Sequence, residues 1–172
     1  ASRANGEAGP LFKLAVLTIS DAGAKGERAD TSGDAISEMM AREGFREVHR
    51  DIVPDEEELI AEKLAWWCDG GDVDLVLTTG GTGLGPRDVT PGATKAVIDF
   101  EVPGLSEAMR VLTLQKTPMA MLSRSVVGVR AGCLIINLPG SPKGVRECLE
   151  VAIPAIPHAL EMIRGWRGHP AQ

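Results

Sequence analysis

The chain has 172 residues, 44% hydrophobic and 24% charged, which fits one globular domain with a core that needs no disulfide or metal staples. Wholesale disorder is excluded, and so is a membrane-spanning helix: no stretch longer than 12 residues lacks a charge, against the roughly 20 apolar residues a span needs. A net charge of −6 with aromatics at only 3% argues against a general nucleic-acid binder. Residues 1–10 (ASRANGEAGP) have no apolar signal-peptide core and read as a flexible segment. The domain is then expected over 11–166, with a tail over 167–172. Cys68, Cys133 and Cys148 are odd in number and lack disulfide or zinc spacing, which points to a reducing compartment such as the cytoplasm.

Lys13–Ser20 (KLAVLTIS) predicts a buried strand, and residues 21–31 a loop. Ser32–Glu43 has helical spacing and stops at Gly44. Glu47–Val53 is a second strand. Asp55–Cys68 is a helix in which Asp55 and Glu58 fit a capping box. Val73–Thr79 is a third strand, apolar enough to be covered on both faces, and it runs directly into GGTGLGPRDVTP. Thr90-Pro91 opens a short helix as N-cap and first helical residue. Gly104–Lys116 is a further helix. Within 118–130 only Ser125–Val129 reads as a short strand, followed by a turn at 130–132. Cys133–Leu138 is a strand, Ser141-Pro142 caps a helix running to about Ala152, and a last helix reaches Arg164. Strand–helix alternation predicts an α/β fold of three layers, a mainly parallel sheet flanked by helices. In such sheets ligands bind beyond the carboxyl ends of the strands. Here those ends are Ser20-Asp21, Thr79–Gly83 and Asn137–Ser141.

The second end carries Gly80, Gly81, Gly83 and Gly85 within six positions. Glycines let backbone N–H groups approach and cradle an anion. Pro86 breaks both the dinucleotide fingerprint, where a glycine would be needed, and the phosphate-loop motif, where a lysine would be needed. Asp88 in the same loop would repel a phosphate unless Mg²⁺ bridged the two; its plainer reading is a turn cap. Asp55 has an equally plain reading as a helix cap. Ser123, Ser125 and Arg124 offer donors to an anion or simply form a polar loop. Asn137 ends an apolar strand and needs partners, either backbone or ligand. The helix after Ser141 offers a second anion site, with Lys143 in its first turn.

Charge is divided unevenly along the chain. Residues 1–107 carry a net −11, whereas 108–146 hold Arg110, Lys116, Arg124, Arg130, Lys143, Arg146 and no acid. The tract is either a local anion site or a chance basic face. His49, His158 and His169 are scattered, and no Ser-His-Asp or Cys-His arrangement can be argued. Of Trp66 and Trp67, one ring is expected in the core, and Cys133 and Cys148 read as inert packing thiols.

TTGGTGLGPRDVTPGAT, PGLSEAMR, TPMAMLSRSVVGVR and LIINLPGSPKGVRECLE, together with TISD at 18–21 and VPDE at 53–56, closely resemble the molybdopterin adenylyltransferases of molybdenum-cofactor biosynthesis. That family includes Mog-type bacterial enzymes, the G domains of plant and algal cofactor proteins, and the matching domain of gephyrin. The resemblance covers about residues 12–164 and implies a MoaB/Mog-like single domain. It implies Mg²⁺- and ATP-dependent transfer of AMP to the terminal phosphate of molybdopterin, with release of pyrophosphate. A partner domain would then insert molybdate. By resemblance Asp55 and Asp88 are the catalytic, metal-holding aspartates, and Ser123 and Asn137 contact ligand. The further expected binding positions are Ser20, Asp21, Thr79, Gly80, Gly81, Thr82, Gly83, Arg124, Pro139, Gly140, Ser141 and Lys143. A homotrimer is also implied. The alternative is a molybdopterin-binding or scaffold module without catalysis.

Overall fold

Apolar runs dictate the strands, and polar helix starts set the turns between them. A computed structural model describes residues 11–168; the expected segment 1–10, His169 and the end of the expected tail lie outside the described residues. In chain order the elements are β1 (Lys13–Ile19), α1 (Asp21–Ala24), α2 (Thr31–Arg42), β2 (Arg46–Val53), α3 (Glu57–Asp69), β3 (Leu75–Thr79) and α4 (Thr90–Val97). Then follow β4 (Phe100–Glu101), α5 (Pro103–Thr113), a 3-10 turn (Pro118–Leu122), β5 (Val127–Arg130), β6 (Cys133–Leu138), α6 (Pro142–Ala152) and α7 (Ile156–Gly168).

The six strands form one sheet in the order β2-β1-β3-β6-β5-β4. The first four run parallel; β5 is antiparallel to β6 and β4 antiparallel to β5. The expected mainly parallel, three-layer architecture is therefore present. Period-two alternation sends side chains to both faces. Leu14, Val16, Leu75, Leu77, Leu134, Ile136 and Leu138 pack with α2, α5, α6 and α7. Ala15, Leu17, Ile19, Val76 and Ile135 pack on the other face with α3 and α4. Burial on both faces is why these strands read as nearly unbroken apolar runs.

Several boundaries differ from expectation for physical reasons. The loop expected over 21–31 contains α1, because the Ser20 hydroxyl accepts the Gly23 N–H and caps a single turn. The first turn of α3 begins at Glu57 with no side-chain cap, so the capping box drawn from Asp55 does not form. Asp55 bonds elsewhere, as described below. β3 starts at Leu75 rather than Val73, since Asp74 turns its carboxylate onto the Lys13 N–H. The N-cap of α4 is Val89, and Thr90 sits inside the helix, its hydroxyl donating to the Gly80 carbonyl. α5 ends at Thr113, short of Lys116, where the Thr113 hydroxyl turns back onto Met109. β4 is two exposed residues long and gave no sequence signal. The strand expected over 125–129 begins at Val127 and closes on β6 through a two-residue turn. Ala131 and Gly132 both take positive φ there, 47° and 75°, the geometry of a tight hairpin. The last helix continues past Arg164 to Gly168.

Trp67 is buried and Trp66 is exposed, as expected of the pair. All three cysteines are buried. No helix among the described residues is long and apolar enough to cross a membrane. Ile136 is fully buried on the central strand. Replacing it with alanine should lower unfolding stability by about 2–5 kcal/mol through lost burial and a residual cavity, measurable by urea denaturation.

Candidate active site

Parallel pairing brings the three strand ends together. Thr18 pairs with Thr79 and Thr79 with Leu138, so the chain leaves β1, β3 and β6 side by side at one sheet edge. The loop after β3 is fixed at both ends. Gly80 N–H donates to the Leu138 carbonyl, Thr90 N–H to Gly81, and the Thr79 hydroxyl to Pro139. Gly80 sits at φ 101°, and a Cβ there would strike the Ile19 carbonyl, so no other residue fits this turn. Ser32 of α2 donates to the Gly140 carbonyl at 2.6 Å and ties the Asn137–Ser141 segment to the other side of the cleft.

Acidic groups converge on this edge. Asp55 and Asp21 exchange bonds: the Asp21 N–H donates to Asp55 Oδ2 at 2.9 Å, and the Asp55 N–H to Asp21 Oδ1 at 3.0 Å. Arg87 donates to both oxygens of Asp21, at 2.7 and 2.9 Å. Hydrogen bonding from Arg87 and then from the Asp55 backbone lowers the Asp21 carboxyl to about 2. The carboxyl of Asp55 moves the other way. Burial raises it first, and the neighbouring charges of Asp21 and Asp88 add to the rise. Asp88 folds its carboxylate under the glycine loop, where Oδ2 accepts the Gly85 N–H at 2.9 Å.

Asp55 and Asp88 thus place two carboxylates beside the glycine loop, and a cation fits the arrangement. Among the described residues no three His, Cys, Asp or Glu side chains form a metal cage. This donor set suits Mg²⁺, which commonly takes one or two carboxylates and completes its shell with phosphate oxygens and water.

Two cavities open from the edge and share Ser141 as a wall. The first, about 260 Å³, lies between α5 and α6 under the 3-10 turn, lined by Thr82, Gly83, Met109, Arg110, Ser123 and Glu147 among others. The second, about 430 Å³, is lined by Ser20, Arg28, Asp30, Asp55, Gly80, Gly81 and Gly140. Of the expected positions, Ser20, Asp55, Thr79, Gly80, Gly81, Gly140 and Ser141 wall the larger cavity, and Thr82, Gly83, Ser123, Pro139 and Ser141 wall the smaller. Sequence reasoning missed Arg28, Asp30, Ser32, Met109 and Glu147. Asp30 had a visible signal, an aspartate just ahead of a helix; it caps Gly33 and accepts from Thr18 and Arg50.

Several of the expected residues are engaged within the protein. Asn137 is fully buried: its amide donates to Thr78 and Thr94 and accepts from Val126 N–H, so it braces the site from beneath. Arg124 spends its guanidinium on the carbonyls of Gly83 and Asp88, at 2.8 and 2.6 Å, and is a staple of the glycine loop. The basic tract does not gather. Arg130 pairs with Asp69 at the far side of the sheet, Lys143 is largely exposed, and of the tract's charges Arg110 alone lines either of these two cavities. Cys148 lies at the smaller cavity, where burial pushes its thiol up to about 11, so it is no nucleophile at neutral pH.

Residues 15–158 match the family model described as "Probable molybdopterin binding domain". The chain belongs to this molybdopterin-binding family. Among its relatives, the molybdopterin adenylyltransferase of Helicobacter pylori (strain J99) is 47% identical over 88% of each chain. The crystal structure of the molybdopterin biosynthesis enzyme MoaB from Thermus thermophilus superimposes with a TM-score of 0.85 at 53% identity, covering 90% of this chain and 98% of that one. Gephyrin of Dictyostelium discoideum is 42% identical over 87% of this chain, which spans 22% of gephyrin.

Two outcomes test the family site as built. Asn137→Ala strands the Val126 N–H and the Thr78 hydroxyl in the core, while Thr94 keeps its bond to the Thr90 carbonyl; it should cost about 1–3 kcal/mol for each group left unpaired, read by thermal or urea unfolding. Arg87→Gln should return the Asp21 carboxyl from about 2 toward its ordinary 3.8, read by NMR titration. Because the folded value is depressed, ionised Asp21 favours the native state above pH 3.8, and that contribution fades as pH falls toward about 2. The variant should lack this loss in that window.

Proposed function

We propose that the domain transfers AMP from ATP to the terminal phosphate of molybdopterin, releasing pyrophosphate, as a step of molybdenum-cofactor biosynthesis. The observation that carries this reading is that one glycine loop walls both cavities, with Asp55 in one and Asp88 beneath the loop itself. A joining reaction needs two sites that meet at the point where the bond forms. The larger cavity takes the nucleotide and the smaller takes the pterin, with its phosphate toward Thr82, Gly83 and Ser141.

The chemistry asks for positioning more than for acid–base catalysis. A phosphate oxygen of molybdopterin attacks the α-phosphorus of ATP. The bond from that phosphorus to the bridging oxygen breaks, and pyrophosphate leaves with the electron pair. The nucleophile is already an anion, so the barrier is dominated by bringing two polyanions into line. Mg²⁺, bound by Asp55 and Asp88, would neutralise phosphate charge. The N–H groups of the glycine loop and of the first turn of α6 orient the phosphates, and Arg110 supplies a fixed positive charge to the pterin side. Arg124 keeps the Gly83 and Asp88 carbonyls turned away from the anion.

The same proposal extends to assembly and place. Exposed Val111, Leu112, Met119 and Met121 form an apolar strip that supports the expected homotrimer. A partner domain for molybdate insertion is supported by the longer relatives, gephyrin and cinnamon, of which this chain matches 22% and 25%. Three buried cysteines, odd in number and without disulfide spacing in the sequence, suit the cytoplasm.

Asp88→Asn should reduce adenylylated product about 100-fold or more while molybdopterin still binds, checked by chromatography of reactions with molybdopterin, ATP and Mg²⁺. Wild-type turnover in that variant removes Asp88 from the mechanism. Tight pterin binding without product in the unmodified protein would make the domain a scaffold.

A further inference from the structure

The smaller cavity contains a carboxylate that adenylyl transfer does not use. Ser141, Gly144, Glu147 and Cys148 recur at three- and four-residue spacing along α6 and face the cavity together. Glu147 is the only acidic residue in that lining, and its side chain is 14% exposed. Among the described residues its one close cation is Lys143, at 3.9 Å and itself 86% exposed. Around it the polar groups serve the protein. The Ser106 hydroxyl donates to Pro103, Thr113 to Met109, Arg110 to the Ser125 carbonyl, and Ser123 bonds to Ser125. A carboxylate held in a largely apolar lobe, on a protein whose substrate is an anion, weakens binding unless the ligand brings donors to it.

We propose that Glu147 selects the pterin by its pyrimidinone edge. A 2-amino-4-oxopteridine presents a ring N–H and an exocyclic amino group side by side. Two parallel donors in one plane match the two oxygens of a carboxylate, as a guanidinium does. This assignment rests on placing the pterin in the smaller cavity. It orients the substrate: the donor edge lies against α6 at Glu147, and the side chain bearing the phosphate runs toward Thr82 and Gly83 of the glycine loop. It also explains the separation of charge within the lobe. Arg110 and the loop N–H groups serve the phosphate end, and Glu147 serves the opposite, donor-rich end. Glu147 is then a specificity-determining residue and takes no part in forming the new bond.

The test uses two small probes, 6-hydroxymethylpterin and its 2,4-dioxo counterpart, which replaces the amino donor by a carbonyl acceptor. Binding to the wild-type protein and to Glu147→Gln is followed by calorimetry, with ATP affinity as a control for folding. Wild type should favour the amino compound on the order of tenfold or more, and Glu147→Gln should bring the two within about twofold, because its amide can face either edge. ATP affinity should stay within about twofold of wild type. A preference that survives in Glu147→Gln, or is missing from wild type, overturns the proposal. If both probes bind too weakly to measure, KM values decide. A rise of about tenfold for molybdopterin with KM for ATP unchanged supports Glu147, and an unchanged molybdopterin KM overturns it. Failure of wild type to transfer AMP would instead refute the adenylylation reading, and the probe preference would still report on Glu147.

Discussion

Asp21, Asp55 and Asp88 crowd their carboxylates onto one edge of the sheet beside the glycine loop, and this conflict of charge governs that edge. Asp55 feels it directly, since burial and the charges of Asp21 and Asp88 all push its carboxyl upward. Arg87 offsets part of the conflict by taking both oxygens of Asp21. Among the described residues Asp55 and Asp88 have no such bidentate partner. Under the proposed function a cation bridging them to a phosphate would resolve the repulsion and supply the ligands that the protein does not. Metal and nucleotide would then complete one another's sites.

Holding unlike groups this close requires a stiff support, which comes from a fully satisfied polar layer under the loops. Asn137 links β6 to β3 through Thr78, to α4 through Thr94 and to the segment before β5 through Val126. Thr90 and Thr79 pin the ends of the glycine loop and of the Pro139 turn. Among the described residues no fully buried side-chain nitrogen or oxygen lacks a partner. In a low-dielectric interior such a network fixes one arrangement of the loops above it, because each broken bond leaves a buried group exposed to the full cost of desolvation.

The strands and most helices were legible because burial on two sheet faces writes itself into apolar runs, as in Leu75–Thr79 and Cys133–Leu138. The Ser141 cap was legible because its chemistry is local. Asp55 was misread for the same reason in reverse. A local helix cap and a bond to Asp21, 34 residues away, look alike until the fold brings Asp21 near. Arg124 and Arg130 stood in a basic tract that sequence left open between an anion site and a chance basic face; their partners are loop carbonyls and a distant aspartate, which net charge cannot reveal. The residues lining the smaller cavity come from α5, the 3-10 turn and α6, with ordinary helical spacing and no motif of their own. Family resemblance pointed to this edge of the sheet; only the fold showed that it opens into two cavities.

Asp55 and Asp88 are proposed to hold a divalent cation only together with nucleotide phosphate. Mn²⁺ in place of Mg²⁺ makes this measurable by electron paramagnetic resonance. Mn²⁺ should bind weakly to the protein alone and much more tightly when ATP is added, with phosphorus couplings in the ternary complex and loss of that gain in Asp55→Asn and Asp88→Asn. Equal Mn²⁺ affinity with and without ATP, or an undiminished gain in both variants, would contradict it.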